Sequence, residues 1–340
     1  MALEVSVVIP ARNESAAIGG CLAALARQSV GAGALEVIVV AAGEDDTAGA
    51  AACAPAGFGH LEIVRLEHGN KNVALQIGCA RATAPIVVLL DADTELASDA
   101  VAELVRAVRE GPERAVHGAA TPRFDTWISR YWELNRKLLK DLRFDGTLSG
   151  EVVALRRATL AAHDLAALFP ERRGAKDDLH LGRALAARGC PIGYMPTARA
   201  TTLVPWTLAV LATTMLRSRR GAMMQIPIGD AAMQAALAAA LVGSVPAALV
   251  ASRWSLALAL VCVVPLTIHA GILVRRVAAL RRLGLGNHYR ELPSFLLLDL
   301  LGRAIKLWAF IERVVGREVS HGYRGGRPGE VGARRLRGAV

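Results

Sequence analysis

The sequence predicts an α/β fold, a mostly parallel sheet flanked by helices, followed by a membrane-attached helical region, and three observations predict it. Short β-branched runs alternate with helical patterns through the first half. Two carboxylates, Asp91 and Asp93, directly follow the apolar run Ile86-Val87-Val88-Leu89-Leu90. Beyond residue 230, two long stretches carry no charge. The 340 residues are 53% hydrophobic and 21% charged, with a mean hydropathy of +0.36, which suits one sizeable domain plus membrane-embedded segments better than a purely soluble chain.

The elements follow in order. Residues 5–9 form an apolar run that meets Pro10 without a basic leader or a cleavage site, so it reads as a strand and not as a signal peptide. A cytosolic catalytic part is the expectation. Helical spacing follows over 16–28, a strand over 35–40, a strand over 61–66 and a helix over 72–81. The next strand, 86–90, is apolar at every position, as a strand covered on both faces must be. Open α/β sheets bind ligands at the carboxyl edge of such strands. Asp91 and Asp93 stand there with Thr94 and Glu95, a hard oxygen site suited to Mg²⁺ or Mn²⁺ bridging a diphosphate. Aspartate is also common turn chemistry after strands, so the pair alone does not decide. A further helix fits 99–110, with Ser98 as N-cap and Val101, Leu104, Val105 and Val108 on one face; Gly111-Pro112 ends it. Trp127, Tyr131 and Trp132 recur at helical spacing beside Arg130, Arg136, Lys137 and Lys140, which suits either an amphipathic element on lipid headgroups or core packing. A last helix fits 179–188.

The second half changes character. Residues 231–252 and 255–274 are each charge-free and long enough to cross hydrocarbon, with Arg253-Trp254 as the turn between them. Arg217, Arg219 and Arg220 precede the pair, and Arg275, Arg276, Arg281 and Arg282 follow it. The positive-inside rule therefore predicts a transmembrane hairpin with both outer ends cytoplasmic; two buried core helices are the alternative. Over 295–315, Asp299, Arg303, Lys306 and Arg313 share one narrow stripe on an otherwise apolar helix, as in an amphipathic interfacial helix. The expected organisation is a first domain over 1–205, a connector over 206–230, the two spans over 231–275, a basic loop and interfacial helix over 276–316, and a basic tail over 317–340. Net charge is +10, but aromatics are only 4% and the arginines gather beside apolar segments, so an anionic membrane is the expected partner and nucleic acid is not. The five cysteines are scattered and never spaced C-x-x-C, which predicts neither disulfides nor zinc. Kinase, hydrolase and dinucleotide-binding loops are absent.

Four strings carry a family resemblance: VSVVIPARNESAAI, LEVIVVAAGEDDTA, GNKNVALQIGCARATAPIVVLLDADTEL and AKDDLHLGRALAARGCPIGYMP. In that order, over about residues 4–205, they resemble the GT-A fold glycosyltransferases of family 2. Asp177-Asp178-Leu179-His180-Leu181-Gly182-Arg183 is most similar to the ceramide and hopanoid glucosyltransferase branch, and the short hairpin also resembles polyprenyl-phosphate sugar transferases. The resemblance implies a nucleotide-sugar donor, a UDP- or GDP-sugar, and a Mg or Mn divalent cation on Asp91 and Asp93. It places Pro10, Arg12 and Glu14 at the nucleoside rim, with Lys71 and Arg217 also on the donor. Gly150 falls in the acceptor-side loop. Asp178 is the implied base, with Asp177 tuning it.

The residues give each role a chemical reason. Charge developing on the leaving diphosphate calls for neutralisation. An acceptor hydroxyl calls for a base on the face opposite the leaving group, and one displacement inverts the sugar. Simpler readings stand beside these: helix capping for Asp177 and Asp178, a helix start for Arg12 and Glu14, turns for Lys71 and Gly150.

Three departures qualify the resemblance. Ala41-Ala42-Gly43 replaces an Asp-Asp-Gly, so base recognition passes to Glu44, Asp45 or Asp46, or to backbone groups. The processive synthases' Gln-x-x-Arg-Trp reads Thr214-Met215-Leu216-Arg217-Ser218, which predicts transfer of a single sugar. Asp177 replaces a frequent glutamate. The expected activity is inverting, metal-dependent transfer to a lipid or lipid-linked acceptor at the cytosolic face of the cell membrane. A polyprenyl-phosphate acceptor, a non-catalytic nucleotide-binding scaffold and a nucleotidyltransferase remain as alternatives.

Overall fold

A computed structural model describes residues 2–53, 57–67, 70–111, 115–140, 144, 146–171, 177–224, 226–284 and 286–315; the expected tail over 317–340 lies outside the described residues. The chain divides into two compact units. One comprises the residues up to Phe124 together with Phe144–Val204; the other comprises Asp125–Arg143 with the residues from Pro205.

The first unit is an eight-stranded sheet. Its strands are β1 (Val5–Arg12), β2 (Leu35–Ala42), β3 (His60–Leu66), β4 (Ile86–Leu90), β5 (Glu95–Leu96), β6 (Ala115–Pro122), β7 (Val152–Arg156) and β8 (Ile192–Thr202), in the order β3-β2-β1-β4-β7-β6-β8-β5. β3, β2, β1 and β4 are parallel, as expected. β7 then runs antiparallel to both β4 and β6, β6 pairs parallel with β8, and β5 antiparallel with β8. The sheet is therefore mixed but mostly parallel, as expected: six strands share one direction, and β7 and β5 oppose them. A strand buried on both faces is uniformly apolar whichever way it runs, so Val152–Arg156 carried no sign of its direction.

Helices α1 (Ile18–Ala26), α2 (Thr47–Ala52), α3 (Lys71–Arg81) and α4 (Ala100–Glu110) follow the early strands, while α6 (Arg157–Ala161), α7 (Leu165–Leu168) and α8 (Asp177–Ala186) lie between β7 and β8. Strand alternation feeds two cores. Val5, Val7 and Ile9 pack with Ile18, Leu22 and Leu25 of α1 and with Val101 and Leu104 of α4. Val8, Ile38, Val40, Val87 and Leu89 pack with Leu75 and Cys79 of α3 and with Leu181 and Leu185 of α8. α3 lies so close to the sheet that a Cβ on Gly78 would collide with Cγ1 of Val8. One acid is buried in this unit with a full set of donors. Glu36 accepts from the Ser6 hydroxyl, from the Thr83 N–H at 2.8 Å and from Thr83 Oγ1 at 2.9 Å, and these bonds hold its carboxyl below the usual range although burial pushes the other way. Asp99, not Ser98, occupies the N-cap position of α4 and makes no side-chain cap bond; the Ser98 carbonyl instead accepts from the Ser29 N–H at 2.8 Å.

The second unit is helical: α5 (Trp127–Lys140), α9 (Leu208–Met224), α10 (Ile228–Ala251), α11 (Leu256–Arg282) and α12 (Leu292–Val314). Ile128, Tyr131 and Leu134 of α5 pack with Leu211, Leu280, Phe295 and Leu298, so these α5 side chains serve core packing. α10 and α11 pair as the two charge-free stretches predict. Among the described residues, however, no helix is long and apolar enough to cross a membrane, which corrects the expected transmembrane hairpin. α10 begins with Gly229 and Asp230, is diluted by Gln234, Ser244 and Pro246, and draws most of its apolar character from weakly hydrophobic alanine. The polar stripe of α12 points into the unit. Asp299 takes a bidentate ion pair from Arg276 at 2.5 and 2.9 Å and a hydrogen bond from Tyr131 Oη at 2.8 Å. Lys306 donates to Gln234 Oε1 at 2.9 Å, Arg220 pairs with Glu312, and Arg313 donates to the carbonyls of Met223 and Ile226.

Candidate active site

The carboxyl edge of β1 and β4 opens onto a cleft lined by Pro10, Lys71, Asp91, Gly150, Asp177 and Asp178 above an apolar floor that includes Leu75, Leu90 and Phe169. Each polar group arrives from a different element. Asp91 follows β4, and its N–H donates to the Glu151 carbonyl at 3.0 Å, which ties the acid pair to the approach of β7. Lys71 opens α3, whose N-cap Asn70 accepts from the Val73 N–H at 3.0 Å. Asp177 and Asp178 lie inside the first turn of α8, so they are helical residues and not caps preceding a helix.

Lys71 joins the two acid pairs. Its Nζ lies 2.5 Å from Asp91 Oδ1 and 3.6 Å from Asp177 Oδ2. Burial alone would lower the lysine pKa, but the two carboxylates more than reverse this, so it stays cationic. The acids themselves separate. Burial raises the Asp91 carboxyl to about 7 against the pull of Lys71, with Asp93 adding repulsion, and burial likewise raises Asp93. Asp177 moves down, because Lys71 and helix-start backbone N–H groups outweigh its burial. With side chains 38% and 29% exposed, Lys71 and Asp91 form a screened pair that a ligand can rearrange. A Cβ on Gly150 would lie 3.2 Å from Cβ of Asp178 and 3.8 Å from Lys71 Nζ, so this glycine lets the β7 approach pass close to the acid. Asp178 Oδ1 accepts from the Leu179 N–H at 2.8 Å. Cys21, buried within 3.9 Å of the Asp91 carbonyl, has its thiol pushed up by burial and then by the neighbouring acids, and stays protonated.

A divalent cation fits this donor set. Burial and neighbouring carboxylates, Asp93 and Glu151 on Asp91 and Glu151 on Asp93, oppose the ionisation of both acids, a conflict that a bound cation would remove. Among the described residues no group of three or more His, Cys, Asp and Glu side chains converges as a metal cage. Mg²⁺-type sites commonly take one or two carboxylates and complete their shell with substrate phosphates and water.

The remaining expected residues lie elsewhere. Arg12 is exposed at the end of β1, and Glu14 is half-buried with its N–H donating to Thr47 Oγ1 at 2.8 Å. Asp46 caps α2 through the Gly49 N–H at 2.9 Å and lies 3.8 Å from Arg65, both side chains being well exposed. Arg217 is exposed on α9 in the helical unit. Sequence reasoning missed the staple that fixes this rim. Asn13, at φ 61°, accepts from the N–H groups of Glu44 and Asp45 at 2.5 and 3.2 Å, and Asp45 accepts from the Ser15 N–H at 3.1 Å. An Asn at a strand end, free to adopt left-handed backbone, was the available signal. It also missed Glu151, which acts on both Asp91 and Asp93, and Arg123, which pairs with Glu95 at 2.7 Å and reaches the Asp93 carbonyl at 3.3 Å.

An acid pair at the sheet edge, a second acid pair on α8 and a lysine joining them can accommodate an anionic, phosphate-bearing ligand together with a divalent cation. Residues 6–157, within the sheet unit, match the family model described as Glycosyl transferase family 2. The N-acetylglucosaminyltransferase of Rhizobium sp. (strain N33) is 29% identical over 237 residues, covering 64% of this chain and 52% of that protein. The N-acetylglucosaminyltransferase of Rhizobium leguminosarum bv. viciae is 27% identical over 234 residues, covering 64% and 55%. The chain thus spans about half the length of the curated relatives it matches. A solved structure of the mannosyltransferase PcManGT from Pyrobaculum calidifontis, in complex with GDP-Man and Mn²⁺, shares the fold: TM-score 0.58, 20% identity, 94% of this chain and 89% of that one.

Proposed function

We propose that the chain is an inverting glycosyltransferase that moves one sugar from a nucleotide-sugar donor to a lipid or lipid-linked acceptor at the cytosolic face of a membrane. The observation that supports this reading is the Lys71 bridge, whose Nζ lies 2.5 Å from Asp91 and 3.6 Å from Asp177, so that the acids read here as donor-side and acceptor-side line one cleft. Asp91 and Asp93 would hold a divalent cation, which when bound would supply Lewis-acid neutralisation of the leaving diphosphate. Lys71 adds a fixed positive charge on the same side. Asp178 takes the proton of the acceptor hydroxyl as the oxygen attacks the anomeric carbon and the bond to the diphosphate breaks on the opposite face. Asp177, held ionised by Lys71, keeps a negative charge beside Asp178 that favours the protonated form of the base once the proton has moved. An acceptor that is already an ionised phosphate needs no such base.

Membrane association is supported by the second unit. Among the described residues, every exposed large hydrophobic side chain except Phe124 belongs to it, including Trp254 at 81%, Leu256 at 73% and Leu249 at 67% exposed. So many exposed large apolar side chains on one unit are unusual for a soluble monomer. The names of the relatives and of the structural neighbour bring N-acetylglucosamine and mannose forward as the first sugars to test. The test is release of nucleoside diphosphate by the detergent-purified protein with Mn²⁺. UDP-N-acetylglucosamine and GDP-mannose are offered with membrane lipid or with polyprenyl phosphate. Release that requires one donor and one lipid class is expected. Donor binding without release from any pair would overturn transfer in favour of a binding scaffold, and release of pyrophosphate would indicate a nucleotidyltransferase.

A further inference from the structure

Among the described residues, α9 and α12 of the helical unit bring together half-buried cations that no acid pairs. α9 and α12 run side by side in the same direction. Met215 sits 3.7 Å from the place a Cβ on Gly302 would take, Arg220 pairs with Glu312, and Arg313 bonds the Met223 and Ile226 carbonyls. Arg219 lies one helical turn beyond Met215. Arg303 follows Gly302, and Lys306 stands one turn further along the same stripe. The acids on hand are already engaged: Asp299 by Arg276 and Tyr131, Glu312 by Arg220, and Glu291 by Arg130. Among the described residues Lys306 bonds only the neutral Gln234, and Arg219 and Arg303 make no ion pair or hydrogen bond, Asp299 acting on Arg219 only through space. All three are half-buried. Burial, then the two arginines, lowers the Lys306 ammonium to about 8, so the three cations feel one another.

We propose that Arg219, Arg303 and Lys306 form a binding site for a phosphate group. Two guanidinium groups and an ammonium supply the donors a phosphate monoester or diester takes up, and the charge they leave unbalanced is the charge such a ligand carries. The same helix exposes Leu297 at 64% and Trp308 at 50%, so acyl chains have an apolar surface to lie on when the phosphate belongs to a lipid headgroup. The inference stands whether or not the sheet unit transfers sugar.

The test uses the full chain in detergent and compares Arg303→Gln/Lys306→Gln with Arg281→Gln/Arg282→Gln, exposed residues of α11 whose replacement changes net charge equally. Two arms separate the sources: thermal melting against inorganic phosphate, and flotation with phosphatidylcholine vesicles with or without phosphatidic acid. The first pair is expected to weaken binding by about tenfold or more, and the control pair to retain it. Stabilisation by inorganic phosphate assigns the site to a free anion, and selective flotation assigns it to a lipid headgroup. Equal loss in the control pair would reduce the effect to surface charge and overturn the site. So would binding that survives in the first pair, or no binding by the wild type in either arm. Because like charges repel, the ligand-free melting point of Arg303→Gln/Lys306→Gln should hold or rise; a fall would show the cations to be structurally matched and sink the proposal.

Discussion

The two units place polarity in opposite positions. In the sheet unit, Val5, Val7, Val8 and Ile9 are fully buried, and ion pairs such as Arg109–Glu4 and Arg106–Glu103 lie outside. In the helical unit, Arg276–Asp299 and Arg220–Glu312 lie inside, while Trp254, Leu256 and Val264 face outward. The sheet unit is organised for water, which rewards apolar burial and solvates charge at the rim. The helical unit reverses this, exposing large apolar side chains while pairing charges such as Arg276–Asp299 within. One chain thus combines a polar cleft built at strand ends with an exposed apolar surface built from helix flanks.

The comparison breaks most visibly at the cleft. Asp93→Asn should lower transfer by about a thousandfold and leave vesicle flotation unchanged, as read by nucleoside diphosphate release beside flotation. Loss of both would mean that the units do not divide the work. Asp178→Asn should cost transfer about a hundredfold or more with donor affinity preserved by calorimetry; retained transfer points to an ionised phosphate acceptor. Stability sharpens the contrast next. Arg276→Leu leaves Asp299 buried without its cation and should destabilise by about 3–5 kcal/mol, whereas Arg109→Ala on the sheet unit should stay within about 0.5 kcal/mol; denaturation in detergent compares them.

Glu36→Gln should cost about 1–3 kcal/mol at neutral pH. Because folding lowers the Glu36 pKa, its contribution is fully present above the ordinary carboxylate range and is lost as pH falls through the lowered value, so the variant's acid melting curve should be flatter than the wild type's. The smallest effect is expected at the outer surface. Trp254→Ser with Leu256→Ser should reduce partition onto vesicles by about tenfold and leave donor binding unchanged.

How much of this could be read from the sequence depended on range. The strand at 86–90 and the acids after it are local, and Ile86–Leu90 forms as expected with Asp91 at its edge. Lys71 and Asp177 were legible as motif residues, but their 3.6 Å approach joins chain positions far apart and was not. The direction of β7 and the Ser6–Glu36–Thr83 network depend on partners from distant strands. The stripe Asp299, Arg303, Lys306 and Arg313 was visible from periodicity, which gives a face but not what that face meets. It meets the inside of its own unit. Trp127, Tyr131 and Trp132 were ambiguous for the same reason, and Tyr131 resolved to packing against Phe295 at 5.4 Å.

Gly78 governs more than packing. It sits seven residues along α3 from Lys71, about 10 Å of helix, and its bare α-carbon is what lets that helix seat against Val8. The helix acts as a rigid gauge, one end set by contact with the sheet and the other carrying the ammonium group to Asp91 and Asp177. The accuracy with which this cation reaches both carboxylates is thus inherited from a side chain that is missing two turns away, and even a single methyl group there would detune the cleft from behind.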